Sequence, residues 1–352
     1  TTFKLRSSLV WAVCGLVWGM VTSLLPAQQP AYFILGEDEF KGLQIYDVIQ
    51  DHKDNYLIST NEGIYKYDYQ RFERIGCSEA KSNSVFNFVT DREGNVYCCN
   101  LNHQIFRIRN GECQLLYELL DDEVSSDISL ALGPDNSLLA AAKKVIAIDA
   151  NGKALRRFGY SASHCGQPFT LQNGAVIYHL PAKDSVIVAA AKGFSTGKIS
   201  RINNSDAPLG LLSFFRIDQK TYAVDLSSKD LYVFDEPSFS LQPIFHNPAF
   251  ERSKSLRFYA VGDKTWIAGT LPGAFHLNKP LHSGEFPLYY EKYFISDIYR
   301  DREGNTLLST FDNGILVVPD LTIPDVIASF RDDPVTAIHA DASTGTLYLG
   351  SS

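Results

Sequence analysis

The chain has 352 residues, 45% hydrophobic and 20% charged, with 24 Gly, 15 Pro and six Cys. That composition excludes a disordered chain, a collagen and a disulfide-dense scaffold. A net charge of −8 withholds the basic face that a nucleic-acid surface needs, so no nucleic-acid partner is expected.

Residues 1–27 come first. Lys4 and Arg6 precede an apolar run from Leu9 to Val21, and Leu24-Leu25-Pro26-Ala27 gives way to polar Gln28-Gln29. A basic start, an apolar core and a small residue before a polar break predict a secretory signal cleaved after Ala27. The competing reading is an uncleaved anchor, since the run approaches spanning length. Either reading places the chain after Gln28 outside the cytoplasm, on the periplasmic side of an inner membrane. No second run of spanning length follows, so membrane contact would come only from segments beyond this chain. The chain lacks Met at position 1 and stops inside a repeat unit, so it is expected to be a piece of a longer protein.

Aromatics make up 12%, which favours strands. Beyond residue 30 the chain repeats. Residues 45–67, 85–108 and 295–318 each hold an apolar segment, then Asp-x-x-(Gly/Asp)-Asn, then two further apolar segments. Asp91-Arg92-Glu93-Gly94-Asn95 recurs as Asp301-Arg302-Glu303-Gly304-Asn305. Weaker copies give turns beginning at residues 51, 91, 132, 171, 216, 260, 301 and 341, spaced 39 to 45 residues apart. The apolar runs are too short for helical repeats of that length. Four short strands per unit predict an all-β fold, a β-propeller of about seven four-stranded blades. In the first unit the strands are expected near 46–50, 56–60, 63–67 and 72–75, and in the seventh near 296–300, 306–310, 315–319 and 325–330. Asp opens each turn by bonding its own backbone, and Gly or Asp-Asn closes it at positive φ. The propeller is expected over residues 28–330. Residues 331–352 would start a further blade or a second propeller, the second being favoured because the first unit is complete in itself.

The segments Asp51–Tyr67 and Asp301–Ile315 resemble the two-component regulator propeller repeat. The family's Trp is Leu57 and Leu307 here and is kept at Trp266; its Gly before Thr is Ser59 and Ser309. The resemblance implies an extracytoplasmic sensor region of a bacterial histidine kinase or hybrid regulator. It also implies two seven-bladed rings, a dimer or domain rearrangement as the signal, and in many members an oligosaccharide ligand. The alternatives from other classes are an exported propeller enzyme acting on glycans and a free-standing exported scaffold.

Catalytic residues are not legible. Asp47/Asp51 and Asp297/Asp301 could be acid/base pairs, but they repeat at equivalent places in the turn and are read as structural. His52, His103, His164, His179, His246, His276, His282 and His339 lack ligand spacing, so no metal or cofactor is expected. Ser161–Gly166 is read as a polar loop. Cys77, Cys98, Cys99, Cys113 and Cys165 are an odd set, leaving at least one without an internal partner; most are read as small buried fillers. Adjacent Cys98 and Cys99 should face opposite sides of a strand. The ligand-binding candidates are Phe286, Tyr289, Tyr290 and Tyr293, beside Phe294, because aromatic faces stack on sugars. The competing reading makes them an outer strand packed on the next blade.

Overall fold

The structure is a computed structural model. It describes residues 29–351 apart from 126–127, 159–166, 181–185, 191–197, 202–209, 218, 239, 247–255, 262–263, 278–285, 320, 322–334 and 342–345. The signal segment, Cys14, Ser161–Gly166 and the strand expected at 325–330 therefore lie outside the described residues.

Residues 33–319 form one compact unit, an all-β propeller. Six sheets are each four consecutive antiparallel strands. The first is Ile45–Gln50, Tyr56–Thr60, Gly63–Tyr67 and Phe72–Ile75, and the second is Val85–Thr90, Val96–Asn100, Gln104–Arg109 and Glu112–Glu118. The third to sixth open with Ser129–Leu132, Phe169–Thr170, Leu212–Ile217 and Leu256–Val261. A last, composite sheet combines Ile295–Arg300, Thr306–Thr310 and Ile315–Val318 with the short strand Phe33–Leu35. Phe33 lies opposite Val317 and Leu35 opposite Ile315. The N-terminal strand thus occupies the outer edge of this sheet, beside Ile315–Val318. Gly314 permits this closure: it sits at φ +70°, and a Cβ there would lie 2.7 Å from the Leu35 carbonyl oxygen.

The repeated turns follow side-chain chemistry. Asp51 Oδ1 accepts from the amides of Lys53 and Asn55, and its Oδ2 accepts from Asn55 Nδ2. Asp91 repeats the pattern with Glu93 and Asn95, and Asp301 with Asn305. The residue before Asn has positive φ in each: Asp54 at 66°, Gly94 at 80° and Gly304 at 94°.

Four of the second strands are buried along their whole length: Tyr56–Thr60, Val96–Asn100, Leu138–Ala141 and Thr306–Thr310. Apolar side chains from both faces therefore pack on neighbouring sheets. Leu57 and Ile64 meet Phe88, Val96 and Phe106 between the first and second sheets. Ile58 and Tyr56 meet Leu307, Ile315 and Val317 where the last sheet meets the first. The same junction is stitched by polar contacts. Tyr56 donates its hydroxyl proton to Asp301 at 2.7 Å. Buried Gln50 donates to Glu303 and accepts from the Arg302 amide, both at 2.8 Å, and Arg302 pairs with Asp54. Cys98 packs toward the first sheet and Cys99 toward the third, on opposite faces as expected.

Cys77 and Cys113 form a disulfide, Cα atoms 5.0 Å apart and 36 residues apart in sequence. Reading most cysteines as fillers missed it. The bridge joins the segment after the outermost strand of the first sheet to the outermost strand of the second. Between the fourth and fifth sheets, buried His179 accepts the Leu212 amide on Nδ1 at 3.0 Å, and burial pushes its pKa down to about 3.

The other compact unit gathers residues 1–32 and 320–352. Its described part includes an antiparallel hairpin, Val335–Asp341 with Thr346–Ser351. Asp341 pairs with Thr346 across the turn expected there, and a bulge between Val335 and Ala337 copies the one between Ile45 and Asp47.

Cys77→Ser should lower unfolding free energy by about 2–4 kcal/mol, the usual contribution of a bridge closing such a loop, read by denaturant titration with and without reductant. His179 is held neutral, so its stabilisation is present above pH 6.5 and is lost as pH falls toward 3. Acid should cost up to about 1.4 kcal/mol per pH unit at this site, a slope that His179→Asn should lack.

Candidate functional site at the channel wall

The first strand of each sheet is innermost. Ile45–Gln50 touches Val85–Thr90, which touches Ser129–Leu132; Leu212–Ile217 touches Leu256–Val261, which touches Ile295–Arg300, which returns to Ile45–Gln50. These strands wall the central channel. Register then identifies one equivalent position on several of them. Asp47 lies opposite Ser59, Asp297 opposite Ser309, Arg257 opposite Ala268 and Ser129 opposite Ala141. In the second sheet the matching place is a bulge between Phe86 and Val89, holding Asn87 at φ +61°. Bulges also precede Asp47 and Asp297. An inserted residue re-aims the side chain that follows it, and here both carboxyls reach a backbone amide of the next sheet.

Four consecutive innermost strands thus present Arg257 and Tyr259, Asp297, Asp47 and Asn87. Each ties its sheet to the next. Tyr259 donates to the Ser296 carbonyl at 2.9 Å. Asp297 accepts the Val48 amide at 3.4 Å, Asp47 the Phe88 amide at 2.6 Å, and Asn87 donates to the Ile128 carbonyl at 2.6 Å. Protein surrounds the group, yet Asp47, Asp297 and Tyr259 keep partial exposure and Arg257 is exposed.

The electrostatics follow. Burial raises the Asp47 carboxyl well above the usual range, and the neighbouring Asp297 raises it further. Asp297 is also raised, chiefly by burial, while its hydrogen bond from Asp47 and the Val48 amide counteract. Ionisation of one carboxyl therefore disfavours ionisation of the other. Tyr259 is pushed up by burial and stays a neutral phenol. The positive charge of Arg257 counteracts the rise in both carboxyls.

The structure separates residues that sequence grouped. Asp51 and Asp301 are turn residues, as read. Asp47 and Asp297 are not turn residues: they link sheets and face the channel. The detectable signal was their offset, each four residues before its turn Asp; Arg257 carries no such mark, because its turn differs.

The aromatic candidates sit elsewhere. Phe286 is buried against Phe215, Leu231 and Leu256. Tyr290 is 1% exposed. Tyr289 packs against Trp266 and Tyr290, with ring centroids 5.9 and 6.1 Å away, and Tyr293 is half-buried. None of the four lines the nearby 250 Å³ cavity, which is walled by Leu256, Leu271, Phe275 and Leu288. Phe286 and Tyr290 therefore serve the core, and Tyr289 forms part of an outer strand. Trp266, fully buried and stacked on His276, is also a core residue. Among the described residues, no group of three or more His, Cys, Asp or Glu is placed to hold a metal ion.

No protein-family model matches the chain, and no curated protein matches it in sequence. Solved structures match its fold. Virginiamycin B lyase from Staphylococcus aureus superposes with a TM-score of 0.62 at 13% identity, over 82% of this chain and 97% of that one. The extracellular domain assigned to a hybrid two component system of B. thetaiotaomicron gives 0.58 at 16% identity. That match covers 92% of this chain and 44% of the other, so this chain spans less than half of it. The WD40 β-propeller domain of Doa1 gives 0.59 at 10% identity, over 82% and 95%. At these identities the likeness establishes the propeller fold.

Because the pair binds a proton that the unfolded chain releases, its stabilisation is full below about pH 4 and declines as pH rises through the raised folded value. Asp47→Asn can still accept the Phe88 amide and carries no charge. It should be more stable than the wild type at pH 8, with the gap closing toward pH 4, as measured by thermal unfolding across that range.

Proposed function

We propose that this chain is the extracytoplasmic ligand-binding propeller of a bacterial two-component sensor, a ring of seven blades that takes an uncharged oligosaccharide at the channel wall. The observation that carries this reading is the register that brings Arg257, Asp297 and Asp47 to one position on neighbouring innermost strands, beside Tyr259. A guanidinium, a carboxyl pair and a phenol offer hydrogen-bond donors and acceptors side by side, which suits hydroxyl groups. Three further features support the setting. The opening reads as an export signal, the Cys77–Cys113 bridge suits an oxidising compartment, and one fold neighbour is the extracellular domain assigned to a hybrid two component system, which this chain spans in part.

The hairpin at 335–351 supports a second propeller. The outer edge of the last sheet is already occupied by Phe33–Leu35, so a further four-stranded unit would begin another ring. Signalling then requires that ligand bind two arrangements of a dimer or of its domains with different affinity; a bound state equal in both would transmit nothing.

Catalysis is the second reading, favoured by one observation: a carboxyl whose pKa burial raises is a potential general acid, and lyases are among the fold neighbours. Geometry opposes glycoside hydrolysis. The two carboxyls lie within mutual hydrogen-bonding reach, closer than the roughly 5 Å or 6.5–9.5 Å that the retaining and inverting reactions use.

Titration of the protein with neutral oligosaccharides, followed by chromatography of the sugar, tests both readings. Binding without product, weakened about tenfold or more by Arg257→Ala through loss of a charge-assisted hydrogen bond, supports the sensor. Product that disappears in Asp47→Asn supports an enzyme, and binding indifferent to Arg257 sinks the channel site.

A further inference from the structure

A second cavity lies away from the channel, where the first sheet meets the second. It holds about 370 Å³, within the usual range of small-molecule sites. Its floor is apolar: Ile64, Ile75 and Val85, buried residues of the inter-sheet core. Its rim is polar, with Arg74, Ser78, Ser82 and Asn83.

The wall is fixed before any ligand arrives. The segment from Cys77 to Ser82 is anchored by the Cys77–Cys113 bridge. The Ala80 amide bonds the Cys77 carbonyl at 3.1 Å. Buried Gln104 donates to the Glu79 carbonyl and accepts from the Lys81 amide, and buried Asn100 donates to the Ser82 carbonyl. Asn100 and Gln104 bond each other at 2.9 Å, so the two anchors position one another. A loop held by that many partners forfeits little freedom on binding.

Arg74 is the one cation among the residues lining this cavity. Its neighbours are engaged: Lys66 and Arg71 both pair with Glu73, and Lys81 pairs with Glu118. Arg74 is exposed and makes no ion pair among the described residues. Its place is set by Gly63, at φ +121°, where a Cβ would lie 3.2 Å from Arg74 Nε. The missing side chain lets the guanidinium rest against the backbone.

We propose that this cavity binds a small organic carboxylate, its carboxylate forked onto the Arg74 guanidinium and its body laid on Ile64, Ile75 and Val85. A guanidinium presents paired N–H donors that match a carboxylate. A single cation over an apolar floor suits a monoanion with a compact apolar body, whereas a dianion would lack a second counter-charge. Ser78, Ser82 and Asn83 serve the remaining polar edge. This site is independent of the channel wall and does not rest on the sensor reading.

Sodium benzoate is the probe, titrated into the oxidised protein by calorimetry, with methyl benzoate as the uncharged counterpart. Benzoate should bind saturably with a Kd of about 1 mM, reasonable for so small a ligand, and the ester about tenfold or more weakly. Arg74→Gln should weaken benzoate about tenfold or more, and Arg74→Lys should retain part of the affinity as a point charge without the fork. Both variants should unfold at the wild-type temperature, since Arg74 makes no ion pair. Asp47→Asn should bind benzoate like the wild type. Absence of saturable binding overturns the proposal. So does binding that Arg74→Gln leaves unchanged, or binding that Asp47→Asn abolishes.

Discussion

A sheet that is apolar on both faces cannot stand alone, and the rest of this molecule depends on that constraint. The second strands of the first, second, third and last sheets are buried throughout, so each of these sheets needs a neighbour on either side. A stack of such sheets leaves two open faces unless its last member covers its first. Tyr56 and Asp301, 245 residues apart, bond where that happens, beside Gln50, Arg302 and Glu303. The polar stitching at this junction is denser than local turn chemistry requires, and it falls where sequence separation makes association most costly in chain entropy.

The same constraint creates the channel. Sheets arranged around an axis bring their innermost strands together, and one register position then recurs on successive walls. The scaffold fixes where that position points; the residue type decides what it does. Serine, asparagine, aspartate and arginine occupy it in different sheets, so repetition of backbone yields a chemically lopsided wall. Bulges at Asp47, Asn87 and Asp297 accentuate this, because they exchange regular pairing for a chosen side-chain direction.

What sequence revealed was local. The Asp-Gly-Asn turns, the strand bounds of the first unit and the opposed faces of Cys98 and Cys99 rest on interactions within a few residues, and they appeared where expected. What it concealed was pairing across sheets. Cys77 and Cys113 gave no sign that two outer edges converge. Phe33–Leu35 is too short to read as a strand, and its partner lies at the other end of the propeller. Arg257 joins Asp297 and Asp47 only through register, since its turn lacks the Asp that would align it. Phe286 and Tyr290 followed the packing alternative that their aromatic density also allowed, and lie buried.

The strand that closes the last sheet also sets how the ring bears load. Phe33 lies opposite Val317 in an antiparallel pair, so the chain enters Phe33–Leu35 and leaves Ile315–Val318 at the same end. Tension between the segment before residue 33 and the segment after residue 318 would pull the two strands apart in peeling mode, one hydrogen-bonded pair after another. A shear arrangement would load all pairs together and resist far longer. The seam is thus the mechanical weak point of an otherwise continuous ring, and a pull from its two ends opens it like a zip while the other sheets stay intact.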